Sequence, residues 1–374
     1  MKKRVVVFPY NGESLPLLRY RHMLVEFDVV GVVSPPGLGV LNKESDYGEE
    51  FQNIETSSNL SSLYCDYDVV LIANPDVSFD MSELILAEIL PVLEAKKTIV
   101  SLYPFNPEAY CKLQDMCLAQ GSSLINVVDI IKRKQEHLSE LIDTEDERLT
   151  TIQTPVLMVA GVYEHTNKFD IQLCLRNHFM QRGYKISQIG TRTGCELFGF
   201  HSFPRIMFDS FPEWQKVLLF NRLCKGIEMT EKPDLILLGI PGGIMPYNNE
   251  LTNKFGVLAF EIANAVTPDA AILSLLYEDI NELYLENIYT SVKYKLGFEV
   301  DCFNFSNQKL DLNSSKREQK NSFVTLKTEL VDSKVRNLGD CPIPVFDSLN
   351  TDDGMKMFEY LENKLIRNAQ TLRI

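Results

Sequence analysis

The residues best suited to chemistry lie in one short stretch: Gly161, Val162, Tyr163, Glu164, His165, Thr166, Asn167 and Lys168. It follows an apolar run at 156–160 (VLMVA) and precedes a helical pattern. A glycine lets the chain turn sharply, and successive backbone N–H groups can then curl around an anion. The start of the following helix faces the same point, and a lysine seven positions after the glycine reaches the outer oxygens of a phosphate. The candidate phosphate- or nucleotide-binding residues are therefore Gly161, Glu164, Thr166, Asn167 and Lys168. Gly242 and Gly243 join them from a second turn at 241–246 (PGGIMP). His201 is a candidate general base because imidazole titrates near neutrality, and Glu250 is a second candidate just beyond the Gly-Gly turn. A lone loop histidine is more often a structural hydrogen-bonder. Thr191, Arg192 and Thr193, in the glycine- and aromatic-rich stretch 190–204, offer further anion contacts.

The spacing from Gly161 to Lys168 is one longer than in the usual Walker A loop and resembles the GTDxxxGK[ST] loop of dethiobiotin synthetase and related P-loop proteins. The stretch 182–186 (RGYKI) is similar to the entry to their second strand, and 233–246 (PDLILLGIPGGIMP) to their later strand and Gly-Gly loop. Three departures bear on activity. Asn167 stands where glycine precedes the lysine, Phe169 where Ser or Thr would ligate Mg²⁺, and Gly239 where an acidic residue follows the strand. Asp170 and Glu164 are the remaining oxygen donors nearby. A nucleotide or phosphate is thus the candidate ligand, a vestigial loop whose Lys168 pairs with a carboxylate is the alternative, metal-dependent turnover is not expected, and no metal site is assigned.

These residues need a scaffold, and the chain alternates strand and helix signals throughout. β-Branched runs at 4–8, 27–33, 68–73 and 98–102 are separated by helical patterns such as 81–95 and 107–120. That order predicts a parallel sheet with right-handed crossovers. The turn after the first run, at 9–14 (PYNGES), lacks GxGxxG, so no dinucleotide is assigned there. The pattern restarts at Pro155, with strands expected at 156–160, 185–189, 234–238, 270–277 and 300–305, and a helix at 169–182 closed by Gly183. The expected organisation is α/β: a Rossmann-like parallel-sheet domain at 1–145, a degenerate P-loop NTPase-like domain at 155–305, and a linker with a C-terminal helix at 306–374. The turns at 161–168, 190–204 and 241–250 should meet at the carboxyl ends of the second sheet, where open α/β sheets place ligands.

The 374 residues carry a formal net charge of -14, which argues against nucleic-acid and anionic-membrane surfaces. The eight cysteines form no CxxC pair and read as free thiols. The short apolar run after the basic N-terminus ends at Pro9 and reads as a strand, not an export signal. A cytoplasmic protein without membrane spans is expected.

Three stretches, 167–173 (NKFDIQL), 183–190 (GYKISQIG) and 196–204 (ELFGFHSFP), resemble the clostridial peptide maturation system family. That resemblance implies an accessory role beside a radical-SAM maturase and a short Cys-rich precursor peptide. The chain itself has no CxxxCxxC motif. Three functions stay open: a binding or scaffold module, a nucleotide-dependent ligase or phosphotransferase acting on a peptide or small acid, and a small-molecule sensor. Analogy with P-loop relatives adds the expectation of a homodimer.

Overall fold

A computed structural model describes residues 1–38, 51–75, 79–136, 146–250, 252–318, 321–338 and 341–371. The chain divides into two compact units, Met1–Lys134 with Thr193–Gly199, and Gln135–Arg192 with Phe200–Ile374.

In the first unit β1 (Lys3–Phe8), β2 (Phe27–Val33), β3 (Glu55–Ser57), β4 (Val69–Ile72), β5 (Thr98–Ser101) and β6 (Leu124–Asn126) form one sheet in the order β3-β2-β1-β4-β5-β6. All its pairings are parallel. This is the doubly wound, Rossmann-like order. Val5, Val6, Val7 and Phe8 are fully buried, as a strand covered on both faces requires. Helix Pro107–Gln120 begins at Asn106, whose side chain accepts from the Ala109 N–H, and closes at Gly121 in the left-handed region. The helical pattern at 81–95 is broken at Ile89 into Ser82–Glu88 and Leu90–Glu94, because Pro91 opens the second piece.

The second unit holds β7 (Val156–Gly161), β8 (Ile186–Ile189), β9 (Leu235–Gly239), β10 (Ala270–Leu275) and β11 (Cys302–Phe305), followed by the antiparallel pair β12 (Gln308–Leu310) and β13 (Phe323–Thr325), and by β14 (Val345–Phe346). Its main sheet, β14-β11-β10-β7-β9-β8, is again parallel throughout. β7 lies in its middle, buried on both faces. Val156, Met158 and Ala160 pack with Leu219, Phe220 and Ile262, while Leu157 and Val159 pack with Ile171, Leu175 and Phe358. Each buried Val, Leu or Met of β7 contributes about 1.5–3 kcal/mol, which anchors the loop leaving β7 to the core of the unit.

The α/β class and two parallel sheets match the sequence expectation. Two boundaries differ. The segment from residue 306, expected as a linker, carries β12, helix Leu312–Glu318 and β13, and β14 adds a sixth strand to the main sheet. A two-residue strand and a polar hairpin leave too little apolar periodicity to be seen in sequence. The first unit also draws in Thr193–Gly199, where the Leu197 carbonyl accepts from the Val25 N–H at 2.9 Å and Gly194 lies against Leu102. Among the described residues no helix is long and apolar enough to cross a membrane.

Candidate functional site

The loop leaving β7 is built around a glycine that no other residue could replace. A Cβ on Gly161 would lie 2.2 Å from Thr166 Oγ1, 2.8 Å from the Tyr163 carbonyl and 2.9 Å from Lys168 Nζ. The chain curls back over Gly161 tightly enough to exclude a methyl group. His165 and Asn167 both take the left-handed conformation, each with φ of 54°. Asn tolerates that region better than most residues, which accounts for Asn167 where related loops carry glycine. Its Oδ1 also accepts from the Asn307 N–H at 3.1 Å, a contact glycine cannot make.

Lys168 opens helix Lys168–Gln181 and is 6% exposed. Its Nζ donates to the Tyr163 carbonyl at 3.1 Å and to Thr166 Oγ1 at 3.3 Å. Two of the three ammonium donors are thus directed at the loop itself, and among the described residues no carboxylate pairs with it. Burial lowers its pKa to about 7; the nearby Glu164 charge opposes the shift and that of Arg192 adds to it. Glu164 is turned to Asn321, whose Nδ2 donates to Oε1 at 2.6 Å.

A line of buried polar groups braces the loop from beneath. Ser274 Oγ, at the end of β10, donates to the Thr166 carbonyl at 2.6 Å. Asn304 Nδ2, in β11, donates to Ser274 Oγ at 3.0 Å, and Asn304 Oδ1 accepts from the Ser348 N–H at 2.9 Å. Sequence reasoning missed these residues. The available signal was a polar residue near the carboxyl end of an otherwise apolar run, AAILSL for β10 and CFNF for β11.

The Gly-Gly turn meets the loop as expected. The Ile244 N–H donates to the carbonyls of Gly161 and Val162, both at 3.1 Å. A Cβ on Gly243 would fall 2.7 Å from the Tyr163 Cα and 1.9 Å from Asn253 Nδ2. Gly242, with φ of 73°, needs glycine for its conformation, not for space. Beyond the turn, the Tyr247 ring lies 4.9 Å from that of Tyr163. Burial raises the pKa of both phenols, that of Tyr247 to about 12, and burial also raises that of the Glu278 carboxyl hydrogen-bonded to Tyr247.

Of the candidate general bases, His201 is held by a carboxylate and Glu250 is exposed. His201 bridges to Ile189 beside the edge strand β8, and its Nε2 lies 2.5 Å from Glu231 Oε1, a carboxylate that also accepts from Ser187 Oγ. That imidazole is engaged at the strand edge, as a structural histidine is. Glu250 is exposed, and its N–H caps onto Asn248 Oδ1. The expected convergence of 190–204 is therefore partial. Thr193–Gly199 belongs to the first unit, whereas Arg192 and Phe200 flank the lysine helix: the Arg192 guanidinium is 5.2 Å from the Phe169 ring centre and the Phe200 ring is 6.3 Å from it.

The two other departures also have physical causes. Phe169 is 6% exposed and packs as an apolar residue. A Cβ on Gly239 would meet the Gln172 amide within 2.6 Å, so a side chain there would have to displace that amide. Gln172 itself is held by the Ile189 carbonyl at 3.0 Å. The Gln172 amide thus lies where the acid that follows the corresponding strand in the P-loops it resembles would begin.

No family model matches the chain, and no curated protein matches it. Among solved structures, a DUF1611 family protein from Anabaena variabilis is similar over 98% of this chain and 100% of that one, with a TM-score of 0.58 and 14% sequence identity. The match spans both units and, at this identity, bears on the fold alone. The WlbA dehydrogenase from Bordetella pertussis, solved with NADH and UDP-GlcNAcA, aligns over 46% of this chain and 50% of its own at TM-score 0.26 and 13% identity. Chloroplast FtsY from Physcomitrella patens aligns over 75% of this chain and 90% of its own at TM-score 0.30 and 18% identity. Neither of these two alignments carries weight for this protein.

Proposed function

We propose that the second unit is a phosphate-binding module in which the loop 161–168 takes the anionic end of a nucleotide or another phosphorylated ligand without turning it over. The observation that carries this reading is Lys168. A lysine is buried at the start of a 14-residue helix, bonded only to a carbonyl and a hydroxyl of its own loop. An anion entering the loop would supply the missing countercharge and meet the positive end of the helix, worth about 0.3–1 kcal/mol. Phe169 and the absence of an acid at Gly239 weigh against metal-dependent hydrolysis and hence against the ligase or phosphotransferase alternative. Calorimetric and thermal-shift titrations with ATP, GTP and their Mg²⁺ complexes test this. Binding lost in Lys168→Met is expected. No shift at millimolar nucleotide overturns the reading, and steady hydrolysis abolished in Lys168→Met replaces it with the enzymatic one.

What the module serves is proposed from the sequence resemblance alone: the maturation of a ribosomally made peptide beside a radical-SAM maturase. Co-expression with the neighbouring precursor peptide and maturase, followed by co-purification, is the test. Recovery of neither partner removes that role and leaves the phosphate site standing.

A further inference from the structure

We infer that the cavity between helix Glu282–Leu296 and the C-terminal helix Thr351–Thr371 is a second binding site, and that it takes an extended organic cation, an ammonium or guanidinium head on an apolar stem. It shares no residue with the phosphate loop and does not depend on the function proposed for that loop.

The cavity follows from the shortness of an edge strand. β14 pairs with Phe303 and Asn304 of β11, so the stretch before them, Val300 and Asp301, has no strand on that side among the described residues. The two helices cover opposite faces of the sheet. Leu285, Ile288 and Val292 pack into one core, and Met357, Phe358 and Leu361 into the other. Past the short edge the helices leave a gap of about 490 Å³, closed on its third side by Pro342 and Ile343. A space of that size holds a small ligand or one long side chain.

Its walls suit both parts of such a ligand. Leu285, Val300 and Ile343 offer apolar surface to a stem, and Tyr289 and Tyr360 add two phenol rings, whose faces attract cations. Against four carboxylates the walls bring one cation, Lys364, and it is engaged by Asp301 at 3.0 Å. Glu299 holds Lys293 at 2.7 Å. Glu282 and Glu286 have no ion-pair partner among the described residues. They stand four positions apart on one helix face, where like charges repel. The helix dipole supports Glu282 in the first turn, and Glu286 lies one turn beyond that support. A cationic head between them relieves the repulsion, whereas an anion would add to it.

The test is calorimetry of the full chain with spermidine and, separately, with an end-capped leucine–arginine–leucine peptide. Wild type is expected to bind at least one of them. Binding of spermidine alone identifies a free polyamine as the source of the head, and binding of the peptide alone a basic segment of a polypeptide. Glu282→Gln together with Glu286→Gln should weaken the binding about ten-fold. Thr290→Trp, which fills the gap from the exposed side of the same helix, should abolish it. Unchanged unfolding midpoints by Trp214 fluorescence show that these variants are folded. Glu94→Gln together with Glu108→Gln removes as much charge from exposed positions of the first unit and should leave binding as in wild type. An equal loss in that control overturns the inference, because diffuse attraction to a chain of net charge -14 would then explain the binding. Wild-type affinity in the cavity variants overturns it too, as does no binding of either probe at millimolar concentration.

Discussion

Replacing Lys168 by methionine should change how stability depends on pH, and the size of the change follows from the burial of the amine. An exposed lysine titrates at 10.5, whereas burial brings Lys168 down to about 7. Between those values the unfolded chain holds a proton that the folded chain does not. Stability therefore rises with pH across that window, by at most about 1.4 kcal/mol per pH unit. Integrated from pH 7 to pH 9, where the folded amine goes from half-charged to neutral, wild type should gain about 2 kcal/mol relative to Lys168→Met. The constant offset between the two proteins depends on packing and on the donors lost to Tyr163 and Thr166. The pH dependence of that offset depends on the amine alone. Urea unfolding at pH 6, 7, 8 and 9 measures it, followed by fluorescence of Trp214, the single tryptophan, which lies in the second unit. Pyrophosphate should flatten the difference, because an anion in the loop favours the charged amine. Parallel stability profiles for the two proteins from pH 7 to pH 9 would refute the argument that Lys168 is desolvated.

Asn167→Gly should keep the loop's shape and its anion affinity, while Asn167→Val should lower stability by about 1–2 kcal/mol because a β-branched residue resists the left-handed region; thermal unfolding separates the two. Gly239→Ala should cost about 1–3 kcal/mol by crowding the Gln172 amide, and adding Gln172→Ala should return part of that loss in a double-mutant cycle. Gly243→Ala should abolish pyrophosphate binding by pushing the Gly-Gly turn off Tyr163, read by calorimetry on protein shown to be folded. His201→Gln should leave that binding within two-fold of wild type, since its imidazole is held at Glu231; a ten-fold loss would return His201 to the site.

Much of the scaffold was legible because parallel strands buried on both faces are written as unbroken apolar runs, as at 4–8 and 156–160. Helix ends were legible where a cap has its own chemistry, as with Gly183, which takes the left-handed conformation just past helix Lys168–Gln181. The strands β3, β6 and β14 escaped notice because two or three residues carry no period. Of the site, spacing alone placed Gly161, Lys168 and Gly243 together, since a strand–turn–helix order fixes where a lysine at the helix start must lie. Residue type alone made His201 a candidate base, and residue type says nothing about which carboxylate will hold it. The part played by Gln172 was invisible for a related reason: four positions into a helix, its contact is with Gly239, which lies in a distant part of the chain and offers only an absence of side chain.

The passage of Thr193–Gly199 into the first unit has a consequence for the order of synthesis. A ribosome delivers β7, the lysine helix and β8 before it delivers the segment that covers Val25 and Leu102, so the first unit cannot be finished until part of the second has emerged. A protein cut at residue 145 would lack Thr193–Gly199, part of its first unit. A gene fusion or truncation at the apparent boundary would leave the first unit without a buried strip and the second with an exposed one, and a nascent chain halted between 135 and 192 is the state a chaperone would most need to hold.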